Sequence, residues 1–372
     1  MKVGIDARSL ADRFPGIGRY LAGLIPALAE ASRDLHLTLF VDPAARGGRI
    51  NPFGLAANRI AVIPLDAPIF SPLGQIRAAR AIDRRRLDLL HAPYFLTPVG
   101  LRTPLVLTVH DLIPLAHPEV LPGRLARMLY PFLIAAAVRS ARRVMADSRY
   151  VANDLTHRGL VDPARVAVVP AAADRLPPAA DQPPPAYWPT EPYLLAVGAD
   201  KPLKNLPMLV RAYAASGVQA PLVLAGPLDP RHPRTVREIE RLGLADRVRQ
   251  IGAVPEERLG DLYRGAIALL FPSLAEGFGL PPLEAMSVGV PVVCSSATSL
   301  PEVVGEAALL IRPDDETGWA RAIRQVGGDG ALRATLAAAG RARAAQFTWR
   351  RSAEATVVQY RLALGLPVGD PA

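Results

Sequence analysis

Two glutamates, Glu276 and Glu284, bracket the segment Gly277-Phe278-Gly279-Leu280-Pro281-Pro282-Leu283. The segment follows an apolar run, Ala268–Phe271, and leads into a helical pattern that ends near Ser287. Gly277 and Gly279 lack β-carbons, so a ligand can approach the backbone closely. Pro281 and Pro282 suit the first turn of a helix, where a missing N–H costs least. Backbone N–H groups at a helix start, aided by the dipole, suit a phosphate. Glu284, one or two turns in, can accept both hydroxyls of a ribose, and Glu276 in the loop would face a group being transferred. The plain alternative is a tight turn with Glu284 on a helix surface. Two glutamates bracketing one strand-to-helix crossing favour function.

Three further groups could join them. Asp200-Lys201-Pro202-Leu203-Lys204-Asn205-Leu206 follows the strand-like run Tyr193–Val197. A lysine at a strand-to-helix junction can neutralise a diphosphate, or it can remain a solvated loop charge. Gly16-Ile17-Gly18-Arg19-Tyr20 follows the first strand but lacks the third glycine of a dinucleotide fingerprint. It reads either as a loop over a ligand or as a flexible cap on the next helix. His110 ends the run Leu105–His110, and strand ends point to a crevice. A neutral imidazole there can hydrogen-bond a sugar hydroxyl or a developing oxyanion. The alternative is a half-buried histidine with Asp111 capping the next turn. A His-Asp pair also suits metal-dependent phosphohydrolases, but those need further ligands, and the 6 histidines are scattered. His91 and Ser148 hold similar strand-end positions, Ser148 reading better as a helix cap. Phe271-Pro272-Ser273 reads as a structural turn and Cys294 as an inert core residue.

The first segment continues as Ala285-Met286-Ser287-Val288-Gly289-Val290-Pro291-Val292-Val293, then Ser299-Leu300-Pro301-Glu302-Val303-Val304-Gly305. Together these resemble the Glu-x7-Glu motif of glycosyltransferase family 4. The resemblance extends over nearly the whole chain and includes the terminal helix Trp349–Arg361. It implies a retaining, metal-independent transferase of the two-domain GT-B fold, whose terminal helix crosses back to the N-terminal domain. It makes Glu276 and His110 catalytic, with His110 near the donor sugar. It gives donor binding to Gly16, Gly18, Lys201, Lys204, Gly277, Phe278, Gly279, Leu280 and Glu284, with no metal site. The family pattern places an arginine near the lysine, at positions that are Ala199 and Leu203 here, and Lys201 is the residue available to replace it. His110-Asp111-Leu112 and Pro281-Pro282-Leu283-Glu284 resemble mannosyltransferase-type members. That favours GDP-mannose as donor and leaves UDP-sugars open.

The elements around these residues alternate. Val3–Asp6, Leu37–Val41, Ile60–Ile63, Leu87–His91, Leu105–His110, Val144–Ala146 and Val166–Val169 read as strands, with helices over Gly18–Ala31, Arg124–Ser140 and Tyr150–His157. Pro177, Pro178, Pro183, Pro184, Pro185, Pro189 and Pro192 then exclude helix and central strand. Alternation resumes with strands at Tyr193–Val197, Leu222–Ala225, Val248–Ile251, Ala268–Phe271 and Val290–Cys294. Helices fall at Asn205–Ser216, Pro233–Leu242, Pro255–Gly265 and Pro281–Ser287, and three more close the chain. This is the signature of α/β architecture with parallel sheets. The expected division is an acceptor-binding Rossmann-like domain over 1–176 and a proline-rich linker over 177–192. A nucleotide-sugar-binding Rossmann-like domain follows over 193–345, then the crossing helix over 346–372. Two sheets whose crevices face one another would form a central cleft.

Composition sets the outer bounds. At 372 residues, 50% hydrophobic and 21% charged, the chain has ordinary cores and is not disordered. Its single cysteine rules out a disulfide framework and a multi-cysteine zinc site. The net charge is +9, and residues 1–180 hold the whole excess, with 23 Lys and Arg against 14 Asp and Glu. Arginines cluster at 77–86 and flank the apolar run Met128–Val138, which is too short to span a bilayer and contains Pro131. Nucleic acid is disfavoured, since no binding motif accompanies the arginines. A helix with a greasy middle and arginine ends suits an anionic membrane surface; a core-packed helix with solvated ends is the alternative. The polar start, Met1 to Asp6, does not read as a signal peptide. The expectation is a cytoplasmic enzyme, peripheral at the inner face of the membrane, acting on a saccharide or lipid-linked acceptor in glycoconjugate synthesis. Two rivals are a GT-B-shaped sugar-nucleotide epimerase or hydrolase, and a non-catalytic nucleotide-sugar-binding protein.

Overall fold

Strands built from unbroken Val, Leu and Ile need apolar cover on both faces, and the chain supplies it twice. A computed structural model describes residues 1–10, 15–47, 51–174, 176, 185, 188–227, 229 and 233–368. It divides into a unit of Met1–Ala172 with Thr348–Ala372, and a unit of Ala173–Phe347.

The first unit holds strands β1 (Lys2–Asp6), β2 (His36–Val41), β3 (Ile60–Pro64), β4 (Leu89–Ala92), β5 (Leu105–Val109), β6 (Arg143–Ala146) and β7 (Val166–Val168). Helices α1 (Pro15–Ala31), α2 (Pro72–Asp83), α3 (Ile113–Ala116), α4 (Gly123–Ser140) and α5 (Arg149–His157) connect them. The sheet is wholly parallel, in the order β3-β2-β1-β4-β5-β6-β7. Val3 pairs with Leu37 on one side and Leu89 on the other, so the strand order reverses between β1 and β4.

The second unit holds β8 (Tyr193–Val197), β9 (Leu222–Ala225), β10 (Val248–Gly252), β11 (Ala266–Phe271), β12 (Val292–Ser295) and β13 (Leu309–Ile311). Its helices are α6 (Leu206–Ser216), α7 (Arg234–Arg241), α8 (Leu259–Arg264), α9 (Leu280–Ser287), α10 (Leu300–Val304), α11 (Glu316–Gly328) and α12 (Gly330–Ala344). The order β10-β9-β8-β11-β12-β13 is again parallel, reversing between β8 and β11. Leu209 of α6 and Trp319 and Ile323 of α11 fill one face of its core. Both units are therefore doubly wound α/β sheets, each with a switch point beyond its strand ends.

The last helix, α13 (Trp349–Ala363), belongs to the first unit and lies along α1. Gly23 permits this approach: a β-carbon there would overlap the Trp349 indole. Ser352 Oγ donates to the Pro170 carbonyl at 2.5 Å, tying α13 to the chain beyond β7.

Some expected features differ. The proline-rich linker lies mostly outside the described residues, since 177–184, 186 and 187 are among those not described. The glycines Gly16 and Gly18 do not form a loop; both lie inside α1. Pro15 supplies a pre-set φ at the helix start and begins the helix earlier than the apolar pattern does. Helices α2 and α10 and the three-residue strand β13 do not stand out as periodic runs. The arginines of α2 mask its buried stripe of Ala78, Ala79 and Ile82.

Candidate functional site

The switch point of the second sheet receives the chain after β8 and after β11. Past β8, a 3-10 turn over Pro202–Lys204 ends at Asn205, which adopts a left-handed conformation (φ 55°) and starts α6. Asparagine tolerates that conformation better than most residues. Asn205 Nδ2 donates to the Pro313 carbonyl at 2.9 Å and the Pro272 carbonyl at 3.4 Å. The Leu274 amide donates to the Leu203 carbonyl at 2.8 Å. These ties hold the turn after β8 against the loop after β11.

The result is a pairing that the sequence did not reveal: Lys204 Nζ donates to Glu276 Oε1 at 2.5 Å. Nζ also sits 5.1 Å above the centre of the Phe271 ring. An ammonium has three donors, so one bond to Glu276 leaves others for an anion. Lys201 is exposed at the start of the turn and takes no part in this pairing. Its neighbour Asp200 points inward and accepts from Thr235 Oγ1 at 2.8 Å.

The loop carrying Glu276 rests on the turn after β12. The Glu276 amide donates to Thr298 Oγ1 at 2.9 Å, and Ser299 Oγ donates to the Glu276 and Phe278 carbonyls at 2.9 and 3.0 Å. Thr298 is held at φ 53°, an uncommon conformation for a β-branched residue. Strain of this kind gathers at working sites. Thr298 and Ser299 are functional candidates that sequence reasoning missed, although Ser299 opens a stretch already singled out.

Gly279 then adopts φ 111° and opens α9. The φ favours glycine, and a β-carbon there would stand 2.6 Å from Leu300 Cδ2, so the Leu300 side chain would also have to shift. The helix start leaves the first amides without intrahelical acceptors. Pro281 and Pro282 contribute none, so Gly279 and Leu280 supply the available N–H groups. Phe278 is buried, its ring edge-on to Phe347 at 5.9 Å. Gly277 is half-buried beside it.

The plain alternative for Glu284, a helix-surface position, does not hold. The residue is 4% exposed, and Tyr263 of α8 donates to its Oε2 at 2.7 Å. Tyr263 is a further partner without a sequence signal. Cys294 is buried in β12, and burial pushes its thiol pKa well up.

The first unit carries a second polar cluster. His110, just past β5, bonds through Nδ1 to Asp147 Oδ2 at 2.6 Å. The carboxylate accepts, so Nδ1 carries the proton. Nε2 is buried and meets no hydrogen-bond partner. The Tyr20 ring of α1 packs edge-on to the imidazole at 4.7 Å. Burial opposes a charge on His110, but Asp147, by charge and hydrogen bond, raises its pKa above the usual value, with Asp111 adding to the rise. Asp147 is not anticipated from the sequence, although it stands at a strand end beside Ser148. Asp111 caps the following turn, accepting from the Ile113 amide at 3.0 Å.

His91 does not face a crevice. It is fully buried on β4, with Nδ1 2.8 Å from the Tyr360 hydroxyl and Nε2 2.8 Å from Thr108 Oγ1. Burial and the neighbouring His110 push its pKa down to about 3. Ser148 caps α5, accepting from the Val151 amide at 3.2 Å. Gly16 is exposed and Gly18 buried in the first turns of α1. Among the described residues, no three His, Cys, Asp or Glu side chains are grouped to hold a metal ion. No helix among them is long and apolar enough to cross a membrane.

Comparison with known proteins agrees with this architecture. A family model described as Glycosyltransferase Family 4 matches residues 15–175, and one described as Glycosyl transferases group 1 matches residues 182–343. The chain is 30% identical to the O-antigen chain mannosyltransferase B of Escherichia coli, covering 97% of this chain and 100% of that protein. Its fold is similar to sucrose-phosphate synthase of Thermosynechococcus elongatus, with a TM-score of 0.76 and 22% identity over 98% of this chain and 99% of that one. It is also similar to HepE of Anabaena, solved with UDP and glucose, with a TM-score of 0.73 and 21% identity over 96% and 98% of the two chains. The fold class is that of the GT-B glycosyltransferases.

Proposed function

The chain belongs to glycosyltransferase family 4, and on that premise we propose that it moves mannose from GDP-mannose to a saccharide or lipid-linked saccharide acceptor, with retention at the anomeric carbon. The observation that carries this reading is the Lys204–Glu276 pair at the switch point of the second sheet, beside the start of α9. The mannosyltransferase named among the relatives supports the choice of sugar.

In this reading the acceptor hydroxyl oxygen bonds to the anomeric carbon as the bond to the diphosphate breaks, the hydroxyl proton passes to the departing phosphate oxygen, and charge develops on that diphosphate. Lys204 and the Gly279 and Leu280 amides hold that charge, so no metal is assigned to the step. Glu276 faces the sugar together with the Gly277–Leu280 backbone. Glu284 receives the ribose, exchanging or sharing its bond to Tyr263. Lys201, on the exposed side of the turn, is assigned the outer phosphate. The first unit takes the acceptor, and Gly16 and Gly18 in the first turns of α1 are assigned to the donor. His110 offers Nε2 to a sugar hydroxyl or oxyanion, and its raised pKa keeps a donor proton there more of the time.

The test is incorporation of radiolabelled mannose from GDP-mannose into acceptors of a membrane extract. Glu276→Gln should lower incorporation by roughly a hundredfold or more while leaving the melting temperature close to that of the parent. A folded Glu276→Gln chain with full turnover would remove Glu276 from the reaction and sink the assignment.

A further inference from the structure

A line of polar side chains runs through the apolar interior of the first unit. Tyr360 of α13 places its hydroxyl 2.8 Å from His91 Nδ1 on β4, and His91 Nε2 lies 2.8 Å from Thr108 Oγ1 on β5. Thr108 Oγ1 lies in turn 3.3 Å from the Tyr20 hydroxyl on α1. None of the four residues is more than 2% exposed. Burial keeps His91 neutral, its pKa pushed down to about 3, and a neutral imidazole offers one donor and one acceptor. The middle of such a line requires both. Polar groups this deep cost free energy unless bonded, and valine or phenylalanine would fill the space without that demand. A bonded line instead fixes where its members stand.

The line ends on His110. Residues two apart along a strand share a face, and Tyr20 touches both Thr108 and His110 at the end of β5. The Tyr20 ring stands edge-on to the imidazole, with centroids 4.7 Å apart and planes at 77°. The bond from Nδ1 to Asp147 holds one edge of the same imidazole, and Nε2 is left for a substrate. Helix α13 braces Tyr20 twice. Trp349 packs edge-on to its ring at 5.9 Å, and Tyr360, further along the same helix, reaches it through His91 and Thr108.

We propose that His91, Thr108 and Tyr360 are positioning residues for the transfer reaction, holding the Tyr20 ring against the His110 imidazole so that Nε2 is turned to the donor sugar. All three are buried and act through Tyr20. Asp147 holds the imidazole by its Nδ1 edge, and the Tyr20 ring holds its plane. Misplacing a reacting group by about 1 Å costs about a hundredfold in rate, so hydroxyls remote from the sugar can govern turnover. A role in folding alone would need the line to be bonded, but not to end on His110. The inference rests on the role proposed for His110 in transfer, and its readouts separate failure of the one from failure of the other.

The test uses the intact chain in initial-rate assays of mannose incorporation from varied GDP-mannose. Thr108→Val keeps the shape and removes the hydroxyl. It should lower kcat roughly tenfold or more, with KM for GDP-mannose little changed. Thr108→Ser returns the hydroxyl and should restore most of the turnover. His110→Ala should lower kcat by itself, and Thr108→Val added to it should lower kcat no further, because the group being positioned is gone. Tyr360→Phe cuts the line at its far end and keeps the ring. It should show the same pattern with a smaller loss, and it carries the test if Thr108→Val melts below the assay temperature. Independently of turnover, the His110 ring signals in protein made with isotope-labelled histidine, identified by their loss in His110→Ala, should move in Thr108→Val and return in Thr108→Ser. Parental kcat in both Thr108→Val and Tyr360→Phe, losses that multiply with that of His110→Ala, or unmoved ring signals would overturn the proposal. Full turnover by His110→Ala would overturn it too. A parent that turns over no GDP-mannose would fail the functional reading instead, and the ring signals would then decide the positioning alone.

Discussion

His91 and His110 are pushed in opposite directions by their surroundings, and stability should record it. Burial holds the His91 pKa near 3, below its unfolded value of about 6.5. Its contribution is therefore complete above that unfolded value and is lost as pH falls from about 6.5 toward 3. Asp147 holds the His110 pKa above the ordinary value despite burial. That contribution is complete below about 6.5 and is lost as pH rises through the raised value. Urea midpoints measured against pH should pass through a maximum near pH 6.5. Asp147→Asn should flatten the alkaline limb and leave the acid limb; an alkaline limb unchanged in that variant would mean the pair does not control it. Only part of this chemistry could be read from the residues. His110 was legible because it ends an apolar run. Asp147, Thr298 and Tyr263 were not, because each joins its partner through strand pairing or helix contact across 21 to 37 residues. The Lys204–Glu276 bond was hidden for the same reason: both residues stood out, but only the adjacency of β8 and β11 brings them together.

At the scale of elements, the head of α9 depends on Gly279. Its φ is 111°, and Leu300 Cδ2 lies 2.6 Å from the point a β-carbon would occupy, so a side chain there needs a strained backbone and a shifted Leu300. Gly279→Ala should destabilise the second unit by about 1–3 kcal/mol and weaken donor binding by displacing the Gly279 and Leu280 amides. Urea unfolding and calorimetric titration of GDP-mannose measure the two effects; parental values for both would show that the backbone there is free to relax. The strands were the most legible elements, because parallel strands covered on both faces are continuous apolar runs that periodicity finds easily. Helix starts were less so. Helix α1 starts at Pro15 and not at Gly18, so Gly16 and Ile17, expected in a loop, lie in a helical turn. Short pieces such as β13 carry too few residues for any period to show.

For the molecule as a whole, the asymmetry of charge and the two switch points divide the work. The first unit has the basic surplus and the His110 pair. The second has the lysine, the two glutamates and the helix start suited to a diphosphate. The central claim is that a nucleoside diphosphate sugar binds this second constellation. A ligand that binds only the folded chain stabilises it by about 2.7 kcal/mol at a hundred times its dissociation constant. The decisive measurement is the melting temperature of the intact chain against GDP-mannose, with UDP-glucose and ADP-glucose as comparison arms, in the parent and in Lys204→Ala. The account predicts a rise of several degrees for the parent, largest with GDP-mannose, and little or none for Lys204→Ala. No rise with any of the three, or an equal rise in the variant, would contradict it.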